Sequence, residues 1–227
     1  MSIDLVRSSA RARFGEVFTY LTFISSLEPQ DFTPPSLEIK IMRGLFYVHL
    51  YAAIEKTLNE LVEDTLLTIK NKNIRNKDLK IHVNVISLHP KLLSFKDCSS
   101  KNFLERAKSL FLGTESDDIF PINETMMGMY MQNIHYSTLQ NLSILFELPN
   151  FVPSPLDQII IDEIVSKRNA VAHGREQASE IGQSFNCQQL RTKMMSVQGI
   201  IFSYIDILDS YLESKSYIKE SSKNIYN

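Results

Sequence analysis

Lys167-Arg168-Asn169-Ala170-Val171-Ala172-His173-Gly174 closes an apolar helical pattern and sets an arginine and a histidine five positions apart. Upstream, Ser154-Pro155 reads as a helix start: serine can accept from an exposed backbone N–H, and proline at the first helical position forfeits no hydrogen bond. Leu156, Ile159, Ile160, Ile164, Val165 and Val171 then recur at near-helical spacing. Gly174 supplies a residue able to take the left-handed conformation that ends many helices, so His173 belongs to the last turn.

Five positions on a helix correspond to about 140° of rotation and about 7.5 Å of rise, so the two side chains leave on different but neighbouring faces. Arginine offers a permanently charged fork of donors for phosphate oxygens, and histidine exchanges a proton near neutral pH. Those are the two groups that metal-free cleavage of an RNA phosphodiester requires. The spacing alone decides little, because at average composition it arises by chance in roughly one chain in five of this length. Arg168 has Asp162, Glu163 and Glu55 as candidate ion-pair partners, and His173 can complement the negative end of its own helix.

The rest of the chain reads as helical. Residues 8–26 carry Phe14, Val17, Phe18, Leu21 and Ile24 on one side, and residues 37–70 carry Ile41, Leu45, Val48, Ala52, Leu58, Leu61, Val62, Leu66 and Ile69 as a broad stripe. Glu55 interrupts that stripe; a carboxylate so placed is costly unless paired, which makes it a candidate partner for Arg168. Tyr51 reads as a packed aromatic with its hydroxyl at the surface. Shorter helices are expected at 102–112 and 138–148, the latter stopped by Pro149. The polar stretch 176–185 reads as a connection, Asn186 with Gln189 as a capping box, and Leu190 to Leu212 as a last long helix before a polar tail at 220–227. About six helices are expected in all.

The chain of 227 residues is 44% hydrophobic, has only 7 glycines and shows no linker or internal repeat, so one domain is expected over 1–227. Within it, 73–135 reads as an insertion. Residues 70–101 hold seven lysines and Arg75 against Asp78 and Asp97, a formal +6 within a chain of net charge −2. Such a local excess can guide a polyanion. Ile81-His82-Val83-Asn84-Val85-Ile86 alternates imperfectly and reads as a short strand that Pro90 cuts off. Asp117-Asp118 reads as solvated loop, and the methionines between 126 and 131 as adaptable packing. His82, His89 and His135 read as structural or surface residues. Cys98 and Cys187 lack neighbours at ligand spacing, so neither a disulfide framework nor a metal site is expected. Without a secretory core or a long uncharged apolar run, the expectation is a cytoplasmic protein without a membrane span.

Arg168-Asn169-x-x-Ala172-His173-Gly174 at the end of the penultimate long helix, with Tyr51-Ala52-Ala53-Ile54-Glu55 on an earlier one, resembles the HEPN superfamily (higher eukaryotes and prokaryotes nucleotide-binding domain). The similarity covers roughly 38–72 and 137–215 and has the look of the bacterial branch found at toxin–antitoxin and phage-defence loci. It implies an all-α, HEPN-like helical bundle with an inserted mixed or irregular segment. It implies a metal-independent endoribonuclease without a cofactor, with Arg168 and His173 catalytic, Asn169 and Glu55 supporting, and Lys167 and Arg175 contacting substrate. The implied partners are RNA, a second copy of the chain, and a cognate antitoxin or defence-system protein. A non-catalytic nucleotide- or RNA-binding or dimerisation module is the alternative. Some HEPN toxins carry a modifiable tyrosine shortly after the histidine; here Gly174-Arg175-Glu176-Gln177 follows instead.

Overall fold

Nine α-helices form the described part of the chain: α1 (Ile3–Ser26), α2 (Leu37–Asn71), α3 (Ile81–Ser87), α4 (His89–Lys96), α5 (Phe103–Thr114), α6 (Tyr136–Leu145), α7 (Pro155–Ala172), α8 (Ala178–Gln183) and α9 (Cys187–Glu213). This computed structural model describes residues 3–29, 31, 33–119, 123–148 and 154–226. Among them there is no strand, only the isolated bridges Arg75 to Ile119 and Leu79 to Ile218, so the fold is all-α.

The long α2 is the axis of the bundle, packed by α1, α7, α8 and α9. It begins at Ser36, whose hydroxyl accepts from the Ile39 N–H at 3.5 Å. Its buried face runs through Phe46, Tyr47, Leu50, Tyr51, Ile54, Leu58, Leu61, Leu66 and Ile69. The N-terminal half of the expected stripe is therefore out of phase: Leu45 and Ala52 are exposed, and Ile41 and Val48 only half-buried. With neighbours on several sides, α2 is apolar around most of its circumference there, and periodicity does not select one face. Along α1, Val6, Ala10, Phe14, Val17, Leu21 and Ile24 are buried at spacings of three and four. Phe18, expected beside them, lies outside under the Arg191 guanidinium at 4.6 Å.

The expected strand at 81–86 is instead α3. Leu79 closes its bridge to Ile218, Lys80 takes an extended cap conformation, and the chain then coils so that Val83 and Ile86, three apart, are buried together. Pro90, read as a breaker, sits in the first turn of α4, where its missing N–H is no loss. Helix α5 matches the expected 102–112 to within two residues, and α6 covers most of 138–148; Pro149 lies outside the described residues.

The polar tail is also different from its reading. Residues 220–226 form a 3-10 turn folded back on the basic segment, where buried Asp78 accepts from the Tyr226 hydroxyl at 2.6 Å, the Ser222 hydroxyl at 2.8 Å and Arg75 Nε at 3.0 Å. A carboxylate with three donors can be buried at little penalty. Nearby, Asp117 is paired with Lys77 at 2.7 Å and Arg75 at 3.4 Å. Lys72, Lys91, Lys96 and Lys101 are exposed.

Connection 176–185 is more than a connection. Gln177 and Glu180 form a capping box for α8, and α8 crosses α2 so closely that a Cβ on Gly44 would lie 2.0 Å from the Ala178 carbonyl oxygen. One on Gly182 would lie 1.8 Å from that of Lys40. Two glycines thus bring two backbones into contact and fix the chain that leaves α7 against α2. The expected Asn186–Gln189 capping box then opens α9.

Candidate active site

Helix α7 carries the motif. Ser154 Oγ accepts from the Asp157 N–H at 3.2 Å, Pro155 fills the first position, and Ile160, Ile161, Ile164, Val165 and Ala170 face the core. Leu156 and Ile159, expected in that stripe, are about two-thirds exposed, and Val171 is half-buried. The helix ends as expected at Gly174, φ +64°. The Gly174 N–H donates to Val171 O at 3.1 Å and the Arg175 N–H to Ala170 O at 2.9 Å, which closes the last turn in a Schellman motif.

His173 is the residue that caps α7, and its side chain is exposed. Asn169 lies one turn earlier on the same face, and its Oδ1 accepts from Arg168 Nη1 at 2.6 Å. Of the three acids within reach of Arg168, only Glu55 engages it, at 3.4 Å. Asp162 accepts from the Tyr136 N–H at 2.9 Å and meets His135 Nδ1 at 3.1 Å, and Glu163 is held by Lys193 and Tyr47.

Below the guanidinium lies the Tyr51 ring, 4.0 Å from the Arg168 Cζ. Tyr51 is buried to its hydroxyl, contrary to the expected surface placement: the group donates to Glu55 Oε1 at 3.0 Å and accepts from the Ile134 N–H at 2.9 Å. Burial above all, reinforced by the Glu55 charge, pushes it up to about 12, so it stays a donor at neutral pH. The Tyr-Ala-x-x-Glu run is explained by this contact, since Tyr51 and Glu55 are one turn apart and together form a floor and wall for Arg168.

Asn133 is the component the sequence did not disclose. Its Oδ1 accepts from Arg168 Nη1 at 3.2 Å, from a segment 35 residues earlier in the chain. The only local signal was the tolerance of asparagine for the left-handed region, φ +53° here. Lys167 pairs loosely with Glu176 at 3.7 Å, and Arg175 is exposed just beyond the cap. The structure therefore brings Tyr51, Glu55, Asn133, Arg168 and Asn169 together, with His173 one turn beyond Asn169. Among the described residues no group of three or more His, Cys, Asp or Glu is placed to hold a metal ion. Nor is any helix among them long and apolar enough to cross a membrane.

The family model described as RiboL-PSP-HEPN matches residues 13–221, which include every component of this cluster. Comparison with curated proteins and with solved structures gave no match.

Proposed function

Since the chain belongs to the RiboL-PSP-HEPN family, whose domains suggest a ribonuclease or a nucleotide-binding module, we propose that it is a metal-independent endoribonuclease acting in the cytoplasm as a toxin or anti-phage effector. The observation that carries this reading is the arginine held between Tyr51, Glu55 and Asn169, with an exposed imidazole one turn beyond Asn169. A guanidinium has five N–H groups; two on Nη1 and one on Nη2 are directed at acceptors among the described residues, which leaves Nε and one Nη2 hydrogen for non-bridging phosphate oxygens.

The ribose 2′-oxygen attacks phosphorus as its proton leaves, the P–O5′ bond breaks, and O5′ takes up a proton. His173 serves one of these transfers, and Arg168 stabilises the charge that grows on the phosphoryl oxygens. The products are a 2′,3′-cyclic phosphate and a 5′-hydroxyl. A dimer formed through the motif-bearing helices supplies a second His173 for the other transfer. The exposed apolar residues Leu45 and Ala52 on α2, with Leu156 and Ile159 on α7, support such an interface. Lys167 and Arg175 flank the site as substrate contacts, the exposed lysines of 70–101 extend the attraction for RNA, and a cognate antitoxin or defence-system protein restrains the activity.

A second reading is favoured by the same count of hydrogen bonds: with three donors satisfied internally, Arg168 also suits a nucleotide-binding or dimerisation module without catalysis. His173→Ala separates the two. Cleavage of a defined RNA by the purified protein is expected to fall at least about 100-fold, at unchanged melting temperature, and wild-type cleavage is expected to persist in excess EDTA. Undiminished cleavage by the variant overturns the catalytic reading.

A further inference from the structure

Residues 133–136 form a strap across the candidate site. From one end to the other, Asn133 Oδ1 accepts from Arg168, the Ile134 N–H donates to the Tyr51 hydroxyl, and the Tyr136 N–H donates to Asp162, which also meets the His135 ring. Four consecutive residues thus tie α2 to α7, and each tie ends on a motif residue or on α7 itself. Ile134 and Met131 are buried and anchor the strap in the core. Asn133 turns the chain with φ +53°, and the His135 N–H closes the turn on the Asn133 carbonyl at 2.8 Å. Asparagine tolerates that left-handed region, so the turn is held without strain.

We infer that Asn133 is a positioning residue, whose carboxamide oxygen, opposite that of Asn169, fixes the rotation of the Arg168 guanidinium so that its remaining donors are presented to phosphate. The inference rests on the ribonuclease reading above and deepens it by naming what aims the arginine.

The geometry is that of a planar group held at its edge and its face. Both hydrogens of Nη1 are taken, by Asn133 at 3.2 Å and Asn169 at 2.6 Å; Glu55 takes one from Nη2 at 3.4 Å; the Tyr51 ring lies beneath at 4.0 Å. Stacking sets the plane but leaves the group free to slide and turn over the ring. The two amide oxygens remove that freedom. They are neutral, so they orient the cation without cancelling the charge that a phosphodiester needs, which a second and third carboxylate would do. Glu55, partly exposed and at a longer distance, already supplies the one opposing charge.

Two substitutions separate orientation from charge, measured on the full-length protein. Asn133→Gly keeps the left-handed turn and removes the acceptor. It is expected to lower kcat by on the order of 10- to 100-fold with KM little changed, at an unaltered melting temperature. Asn133→Asp keeps the acceptor and adds charge. It is expected to lower kcat less than Asn133→Gly does while raising KM severalfold. Nitrogen-15 NMR of the arginine side chains supplies a readout that needs no cleavage: the Arg168 Nη rotation, slow in the wild type and in Asn133→Asp, becomes fast in Asn133→Gly. Wild-type kcat in Asn133→Gly, or unchanged Arg168 rotation in it, overturns the assignment. Should the wild type cut no RNA, the ribonuclease reading fails by itself, and the NMR comparison still decides whether Asn133 holds the arginine.

Discussion

Gly174 shows how one residue sets the place of another. Its φ of +64° lets Arg175 turn back to Ala170, and the α7 helix stops with His173 at its lip. Gly174→Ala puts a Cβ in a conformation that L-residues avoid and is expected to destabilise by about 1 kcal/mol, with Gly174→Asn less harmful; chemical denaturation of the two variants checks the order. Cys187 gives a pH dependence. Burial first, then the neighbouring Glu28 carboxylate, pushes its thiol from 9.0 up to about 12. Below pH 9 the thiol is neutral whether folded or unfolded, and the stabilisation is complete; between pH 9 and 12 the unfolded chain ionises first, and stability is lost as pH rises. Tyr51, pushed from 10.0 to about 12, adds to the same decline from pH 10 upward. Melting temperatures measured from pH 8 to 11 are expected to fall, and Cys187→Ala is expected to flatten the part of the slope that begins at pH 9. Residues of this kind were legible wherever their partners were near in sequence. Ser154, Gly174, Asn186 and Gln189 announce themselves because caps are local. Asn133 and the buried hydroxyl of Tyr51 did not, because each acts on a group many residues away.

At the scale of elements, the long helices were legible and their phases only partly so. The second half of α2, with Leu58, Leu61, Val62, Leu66 and Ile69, follows its expected face, whereas the first half buries Phe46, Tyr47, Leu50 and Tyr51 instead of Leu45 and Ala52 because it is apolar around most of its circumference, and at Gly44 it meets α8 backbone on backbone. A crossing made of main chain leaves no apolar side chain to read. Segment 81–86 was misread for a related reason: Ile81, Val83 and Val85 alternate as a strand would, while Val83 and Ile86 fit a helical turn equally well, and a run this short satisfies both periods. The crossing has a measurable counterpart. Gly182→Ala places a Cβ within 1.8 Å of the Lys40 carbonyl and is expected to destabilise by at least about 3 kcal/mol or to prevent folding. Gly15→Ala, where nothing lies within 4 Å, serves as the control and is expected to leave the melting temperature unchanged or higher. Equal stability of the two variants in thermal melts would show that the backbones can separate at no penalty.

For the molecule as a whole, assembly is the open quantity that a mixing experiment resolves. With one protomer bearing Arg168→Ala and the other His173→Ala, a symmetric pair sharing its site retains one arginine and one of its two histidines, so co-expression of the two inactive chains is expected to recover measurable cleavage, above either homodimer and below the wild type because one proton transfer stays unassisted. A monomer by light scattering that cuts RNA at full rate excludes this arrangement. Fold class was legible at this scale from composition and periodicity, and so was the family, from a motif at the end of one helix and a second on another. The docking of residues 220–226 onto Asp78 was not, because Ser222 and Tyr226 signal nothing until the basic segment is beside them.

The pairing of α2 with helices much later in the chain has a consequence in time. Synthesis runs from the first residue onward at about 5 to 20 residues per second, so the 142 positions from Asn71 to Glu213 take roughly 7 to 28 s to appear. During that interval α2 has α1 for cover, α7 follows only at Ala172, α8 at Gln183 and α9 at Glu213, and Glu55 waits without its arginine until position 168 is made. The earliest half of the candidate site is made long before the half that would complete it. On the proposed ribonuclease reading, a chain still on the ribosome is thus an unfinished tool beside a large store of RNA, and an interrupted one remains so.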